Sequence, residues 1–225
     1  MKVTTDGCLF GAWVAERIKN EKLIINNSLD IGTGTGLLSL MLAQKNPNLT
    51  IDAIEIDKEA AEQATENIAS SPWKERIKVH CCNAKELQSN SLYDLIISNP
   101  PFYENELKSV KSQKNIAHHS DELLLKDLLA IIKKSMSPDG VFCLLLPYKR
   151  NAEAKVLLNE AGLRITQMTF VRQSTNHDFF RIMLIGKIAT EEPTETMIDE
   201  ISIKDDTGQY TLAFTNLLKE YYLHL

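Results

Sequence analysis

Residues 99–102 read Asn-Pro-Pro-Phe, directly after the apolar run Tyr93-Asp94-Leu95-Ile96-Ile97-Ser98. Two consecutive prolines cannot donate to a β-ladder, so a strand over 93–98 has to stop here. As local structure the tetrapeptide is an ordinary turn. As chemistry it is a clamp for a planar amine. The Asn99 amide oxygen can accept a hydrogen bond from an exocyclic NH2, and so can the Pro100 carbonyl. Pro100 and Pro101 fix φ near about −65°, which aims those acceptors at little entropic cost. Phe102 offers a face on which a flat group can stack. A conjugated amino nitrogen is a poor nucleophile because its lone pair is delocalised. Two acceptors on its hydrogens favour the pyramidal form, whose lone pair can meet an electrophilic carbon in line. Positioning of this kind is worth on the order of 7–11 kcal/mol at best, so no strong base is required.

A second constellation can supply the electrophile. The segment Leu29-Asp30-Ile31-Gly32-Thr33-Gly34-Thr35-Gly36-Leu37-Leu38 joins a first strand to a first helix. Gly32, Gly34 and Gly36 let the backbone turn sharply and come close to a ligand, and the following helix offers its N-terminal amides. About 20 residues on, at the end of a second strand, Glu55 can accept hydrogen bonds from both hydroxyls of a ribose. Asp57 is another candidate acid, although the helical run begins straight after it and N-cap is its simpler role. A dinucleotide fingerprint needs glycine at 37, where the chain has Leu37. The spacing G-x-G-x-G lacks the close third approach that a pyrophosphate requires. S-adenosylmethionine has no phosphate, so the loop favours it over NAD, and its methyl-sulfonium is an electrophile suited to the clamp. Asn83 and Ala84, closing a third strand, could read a base edge; for Asn83 a strand-ending turn is the equal alternative.

These residues need a sheet to carry them. Strand patterns at 27–32, 49–56, 76–81, 93–98 and 141–147 alternate with helical patterns at 37–46, 58–71, 121–136 and 151–162. That alternation predicts βαβ units and a mostly parallel sheet with helices on both faces. Ser137-Pro138-Asp139-Gly140 reads as a turn. Segments 163–171 and 179–188 follow each other without a helix, which predicts an antiparallel pair at one sheet edge. Residues 190–207 read as an acidic loop and 210–225 as a terminal amphipathic helix. No internal repeat or domain boundary interrupts the chain, so a single domain over 1–225 is expected, with 103–120 a flexible substrate loop and 190–225 a C-terminal extension.

The 225 residues are 44% apolar and 24% charged, an ordinary globular composition. Thr4, Thr5 and Asp6 stand where a signal peptide needs an apolar core, and no run approaches the ~20 residues of a membrane span. A cytoplasmic protein is expected. Cys8, Cys81, Cys82 and Cys143 form no C-x-x-C pair, which predicts free buried thiols and no metal. The net charge of −5 argues against general coating of nucleic acid but leaves room for a local basic face. Lys108, Lys111, Lys114, His118 and His119 follow the clamp; they fit an RNA-contacting loop and equally a solvated one. Lys149, Arg150, Arg164 and Arg172 are candidates for extending a basic rim.

The glycine loop followed by Ser98-Asn99-Pro100-Pro101-Phe102 resembles the Rossmann-like class I methyltransferases that act on planar amino groups. With "MKVTTDG", "ENIASSPWKERI" and the terminal "LKEYYL", the chain is similar over nearly its whole length to the bacterial family that methylates N6 of adenosine 37 in tRNA(Val). The resemblance implies a seven-stranded, mostly parallel sheet with an antiparallel edge strand, S-adenosylmethionine as cofactor, and a tRNA anticodon loop as substrate; separately, a monomer is expected. It assigns Asp30, Gly32, Gly34 and Gly36 to the cofactor loop, Glu55 to the ribose, and Asn99, Pro100, Pro101 and Phe102 to the amine. Thr5 and Asp6 match a segment next to the cofactor's methionine end. The family usually extends a short stretch ahead of Met1, and has Ala-Arg where this chain has Ala117-His118, one cation fewer to meet phosphate. Two related chemistries use much the same clamp, on a guanine N2 of rRNA and on a protein glutamine amide. A cofactor-binding scaffold without activity is the reading from another class.

Overall fold

The computed structural model describes residues 3–20, 24–87, 92–100, 124–191 and 195–224. Eight strands form one sheet: β1 (Asn27–Ile31), β2 (Thr50–Glu55), β3 (Ile77–Cys81), β4 (Tyr93–Ser98), β5 (Met136–Pro147), β6 (Leu163–Ser174), β7 (Phe179–Ile188) and β8 (Met197–Lys204), in the order β3-β2-β1-β4-β5-β7-β6-β8. The described helices are α1 (Thr5–Asn20), α2 (Leu37–Lys45), α3 (Lys58–Ala69), α4 (Leu125–Ser135), α5 (Asn151–Glu160) and the short α6 (Leu212–Leu218). The near-continuous burial of β1 and β4 is what a sheet covered on both faces demands. On one face α1, α2, α3 and α6 pack around Phe10, Trp13, Leu42, Ile68 and Phe214. On the other, α4 and α5 set Leu128, Leu129, Ile132 and Leu158 against Leu29, Ile96, Phe142 and Leu144.

The local chemistry accounts for these elements. Asp57 Oδ1 accepts the Ala60 N–H at 2.8 Å and starts α3, whose buried stripe is Ala60, Ala61, Ala64 and Ile68. Arg76 ends α2 from a distance: its guanidinium donates to the carbonyls of Ala43, Asn46 and Leu49 at 2.7, 2.8 and 2.9 Å. Those carbonyls lie at and just beyond the helix C-terminus, where they lack intrahelical partners. The "SPWKERI" segment thus joins α2 to β3. The C-terminal "LKEYYL" acts similarly. Gln44 donates to the Glu220 carbonyl at 2.8 Å, Tyr221 donates to the Met41 carbonyl at 3.2 Å, and Lys45 pairs with Glu220.

Four expectations are corrected. Among the described residues the sheet has eight strands, because Met197–Lys204 of the acidic segment pairs in parallel with β6 and becomes the edge. The antiparallel strand is accordingly not at the edge: β7 lies between β5 and β6, antiparallel to both. Ser137–Gly140 is no turn between elements but an excursion within β5, since Tyr93 pairs with Met136 and Leu95 with Val141. Gly140 is required there, as a Cβ would come within 2.9 Å of the Tyr93 carbonyl oxygen. The terminal helix ends at Leu218, where residues 219–222 turn to meet α2. Of the cysteines, Cys8 and Cys143 are buried, Cys82 is half-buried, and Cys81 is exposed.

Among the described residues no helix is long and apolar enough to cross a membrane, and no group of three or more His, Cys, Asp or Glu side chains is placed to hold a metal.

Arg76→Ala is expected to lower the unfolding free energy by about 2–3 kcal/mol, the scale of hydrogen bonds from a charged donor. Arg76→Lys should recover only part, because one ammonium cannot span three carbonyls. A urea titration checks this as a lowered midpoint at unchanged slope.

Candidate active site

The strand order reverses between β1 and β4, so the crevice of an open α/β sheet falls at their carboxyl ends. On the β1 side, the amides of Gly32 and Thr33 both donate to the Ile54 carbonyl, at 2.8 and 2.9 Å, which ties the loop to the end of β2. Gly32, Gly34 and Gly36 take φ of 74°, 59° and 84°, the left-handed region that a side chain resists. Glu55, only 7% exposed, completes the turn. Its Oε2 accepts the Gly34 N–H at 2.8 Å and its Oε1 the Asp57 N–H at 2.9 Å. Each oxygen keeps a second lone pair for a ligand hydroxyl. Asp57, the alternative acid, is the α3 cap.

Asp30 lies beneath the loop with no exposed surface. Its Oδ2 accepts the Thr33 hydroxyl at 2.6 Å and the Ser39 hydroxyl at 2.7 Å, and the Ser39 backbone N–H adds to this carboxyl. Burial pushes its pKa up to about 6; the two hydroxyls and the amide offset part of that, and Glu55 adds repulsion. Asp30 Oδ1 is buried without a protein partner.

On the β4 side, Asp30 pairs with Ile97, and the Ser98 hydroxyl donates to the Ile31 carbonyl at 2.7 Å. Asn99 therefore leaves the sheet beside the glycine loop, half-buried, and Pro100 is buried after it. Gly7, in the first turn of α1, has the Asn99 Nδ2 only 3.8 Å from where its Cβ would be, with Leu37 Cδ2 at 3.6 Å and Thr4 Oγ1 at 3.1 Å. Asn99, the start of α1 and the start of α2 thus converge. Pro101 and Phe102, and the whole of 103–120 with its lysines and histidines, lie outside the described residues.

The first turn of α1 is anchored from two sides. Asp6 Oδ2 accepts from Arg181 Nε at 2.8 Å, and its Oδ1 accepts the Gly7 N–H at 3.1 Å. Burial opposes the charge on Asp6, but the Thr4 hydrogen bond, the Arg181 guanidinium and the Gly7 amide together hold its carboxyl below the usual value. From the other side Tyr222 reaches the Cys8 thiol and the Thr5 hydroxyl. Nothing in residue type marks Arg181 or Tyr222 as part of this edge; β7 pairing with β5 and the C-terminal turn bring them there.

Asn83 caps the short turn Ala84–Glu86, its Oδ1 accepting the Lys85 N–H at 3.0 Å. The Cys82 N–H donates to the Glu55 carbonyl at 3.0 Å, which sets Asn83 and Ala84 on the same edge as Glu55. The four proposed rim cations do not share one surface. Arg164 lies at the start of β6 and Arg172 near its end, so they stand at opposite ends of that strand. Arg150 is held by Glu153 at 2.6 and 2.8 Å and Arg172 by Glu200 at 2.8 Å, while Arg164 donates to the Thr190 carbonyl.

The edge fits a nucleoside cofactor such as S-adenosylmethionine. Among the described residues nothing lies within 4 Å of the Cβ that Gly32 lacks, Glu55 retains acceptor capacity, and Asp30 Oδ1 is an unused buried acceptor.

Residues 12–138 match the methyltransferase small domain. The tRNA1(Val) (adenine(37)-N6)-methyltransferase of Phocaeicola vulgatus is 36% identical over 225 residues, covering 100% of this chain and 92% of that protein. The protein of that name in Dyadobacter fermentans is 37% identical, with 99% and 91% covered. Among solved structures, an S-adenosylmethionine-dependent methyltransferase from Clostridium acetobutylicum superposes with a TM-score of 0.59 at 14% identity, over 84% of this chain and 94% of that one.

The Asp30 carboxyl has a pH consequence. Its folded pKa, about 6, exceeds the 3.8 of a free aspartate, so the folded state binds more protons between those values. Stability is expected to fall as pH rises from about 4 to about 6, by up to about 3 kcal/mol, and to level off above. Asp30→Asn keeps an oxygen acceptor for Thr33 and Ser39 and should abolish that slope. Urea unfolding of both proteins across the window measures the difference.

Proposed function

The chain belongs to the tRNA1(Val) (adenine(37)-N6)-methyltransferase family, and from that membership we propose that it transfers a methyl group from S-adenosylmethionine to N6 of adenosine 37 in tRNA(Val). The observation that carries this reading is the convergence of Asn99, at the end of β4, with the glycine loop at the end of β1 and the first turn of α1. A flat amine held by Asn99 would then lie next to a cofactor held by the loop.

Each residue has a definite task. Glu55 accepts from the ribose hydroxyls, already rigid through Gly34 and Asp57. The positive-φ turn of Gly32, Gly34 and Gly36 gives the ligand close access to the backbone. Asp30 sets the shape of that turn from below and presents its unused oxygen. Asn83 and Ala84 border the base, and Thr5 and Asp6 border the methionine end. S-adenosylmethionine, when bound, supplies an electrophilic methyl carbon on a sulfonium. The Asn99 amide oxygen and the Pro100 carbonyl accept the two N6 hydrogens and turn the nitrogen lone pair out of conjugation. The motif offers Phe102 for stacking on the adenine, with Pro101 part of the same tetrapeptide. The adenine proton leaves to water after transfer, so the clamp needs no ionisable group.

The loop, the acid and Asn99 all come from one chain, which supports a monomer as the working unit, and a tRNA substrate supports a cytoplasmic enzyme. The full-length similarity to tRNA1(Val) enzymes favours tRNA over an rRNA guanine or a protein glutamine.

Incubation with labelled S-adenosylmethionine and unmodified tRNA(Val) should yield N6-methyladenosine at position 37, detected by nuclease mapping and mass spectrometry. Asn99→Ala should reduce kcat by roughly 100-fold or more, the scale for losing a preorganised polar contact to a reacting group. Label confined to rRNA guanine or to a protein glutamine would defeat the assignment. Separately, Glu55→Ala should weaken cofactor binding by roughly 1.5–3 kcal/mol in calorimetry; unchanged affinity would reassign that acid.

A further inference from the structure

Tyr148 is the first residue after β5, and it is 38% exposed. Its ring packs against Phe170 of β6 and Phe179 of β7, with centroids 5.7 and 5.5 Å away, and those two rings stand 5.1 Å apart. The Arg172 guanidinium lies 4.1 Å over the Phe179 ring and is fixed by Glu200 at 2.8 Å. The result is a rigid aromatic step whose outer member, Tyr148, reaches solvent.

Its position matters more than its composition. Ser98 pairs with Leu144, so Asn99 aligns with Leu145 and Tyr148 stands three residues, or about 10 Å, further along the same direction. Pro147 pairs with Arg181, the residue that holds Asp6 in the first turn of α1. The step is therefore continuous with the edge that carries Asn99, at a distance suited to a nucleotide next to the one being methylated.

Around the aromatic step the described arginines offer RNA little free charge. The chain carries a net charge of −5, and Arg150 and Arg172 are each engaged by a glutamate. Single-stranded loops are recognised largely through splayed bases that stack on aromatic side chains. We propose that Tyr148, backed by Phe170 and Phe179, stacks an unpaired base flanking the methylated adenosine and so positions the anticodon loop on the enzyme. The contact rests on the tRNA reading above and adds a specific residue to it, one that touches the substrate away from the reacting amine.

The test uses the full chain and an anticodon stem-loop RNA of tRNA(Val), with S-adenosylhomocysteine present, followed by anisotropy. Tyr148→Ala should weaken RNA binding roughly 10- to 100-fold, the range for losing one stacked base. KM for RNA should rise in step while cofactor affinity stays unchanged. Tyr148→Phe should bind as the parent does, because the ring face is kept. RNA made abasic at one flanking nucleotide should lose a similar factor with the parent protein and nothing further with Tyr148→Ala. If Tyr148→Ala melts at a lower temperature, Tyr148→Leu, which retains apolar packing on Phe170 and Phe179, provides the comparison. Undiminished RNA affinity in Tyr148→Ala or Tyr148→Leu overturns the proposal, as does an equal loss in Tyr148→Phe. Equal abasic losses in parent and variant at both flanking positions also overturn it. Absence of methylation of tRNA(Val) by the parent protein sinks the functional reading instead, and that result is read independently of any Tyr148 variant.

Discussion

The carboxyl of Asp30, with no exposed surface and two hydroxyls directed at one oxygen, sets the turn from β1 into α2. Thr33 belongs to the glycine loop and Ser39 to the first turn of α2, so one buried group fixes the loop's shape and the helix's starting direction together. Glu55 acts from the side, holding Gly34 while its own position is fixed by the Asp57 amide. A polar ligand binding above this loop meets backbone that is already ordered, which spares it the entropy of arranging the site. Burying a carboxyl in this way is costly, and the raised pKa of Asp30 reflects that cost. Such strain suits a place where rigidity is worth more than stability.

Parallel pairing then determines what faces the loop. Because β1 and β4 run side by side with Asp30 opposite Ile97, their ends emerge together, and Asn99 has little choice of neighbours. A slip of one residue would turn Ile96 and Ile97 to the wrong faces, so the two hydrophobic layers lock the register. The spacing between the glycine loop and Asn99 is thus set by core packing on either side of the sheet.

Much of this was legible in the sequence, for identifiable reasons. The glycine loop, Glu55 and the end of β4 lie within short segments where local chemistry and strand periodicity agree, and the structure puts each at the strand end expected of it. The Asp57 cap was legible because a helical run starts directly behind it. What escaped depends on contacts between distant segments. Residues 197–204 look like an acidic loop because an edge strand buries little, with only Ile203 fully enclosed. The placement of β7 inside the sheet cannot be read from two adjacent strand patterns, since either could have taken the edge. Pro138-Asp139-Gly140 reads as a turn in any local analysis, and becomes a bulge only because Met136 also pairs with Tyr93. Arg181 and Tyr222 carried no local signal at all.

Those last two residues explain why the two ends of the chain matter to a site whose recognisable motifs lie in the first half of the chain. The first turn of α1 borders Asn99, yet it stands near the described beginning of the chain, where backbone ordinarily frays. Arg181 holds it from β7 through Asp6, and the segment after α6 holds it from below through Tyr222, itself anchored by neighbouring contacts of Glu220 and Tyr221 to α2. The charge pair is favourable because the Thr4 hydroxyl and the Gly7 amide share the Asp6 carboxylate, offsetting its partial burial. Gly7 adds a steric condition: any larger residue would press on the Thr4 hydroxyl and crowd the space beside the Asn99 amide. The room left to the Asn99 amide is thus limited by a helix turn that is itself held in place by residues far along the sequence.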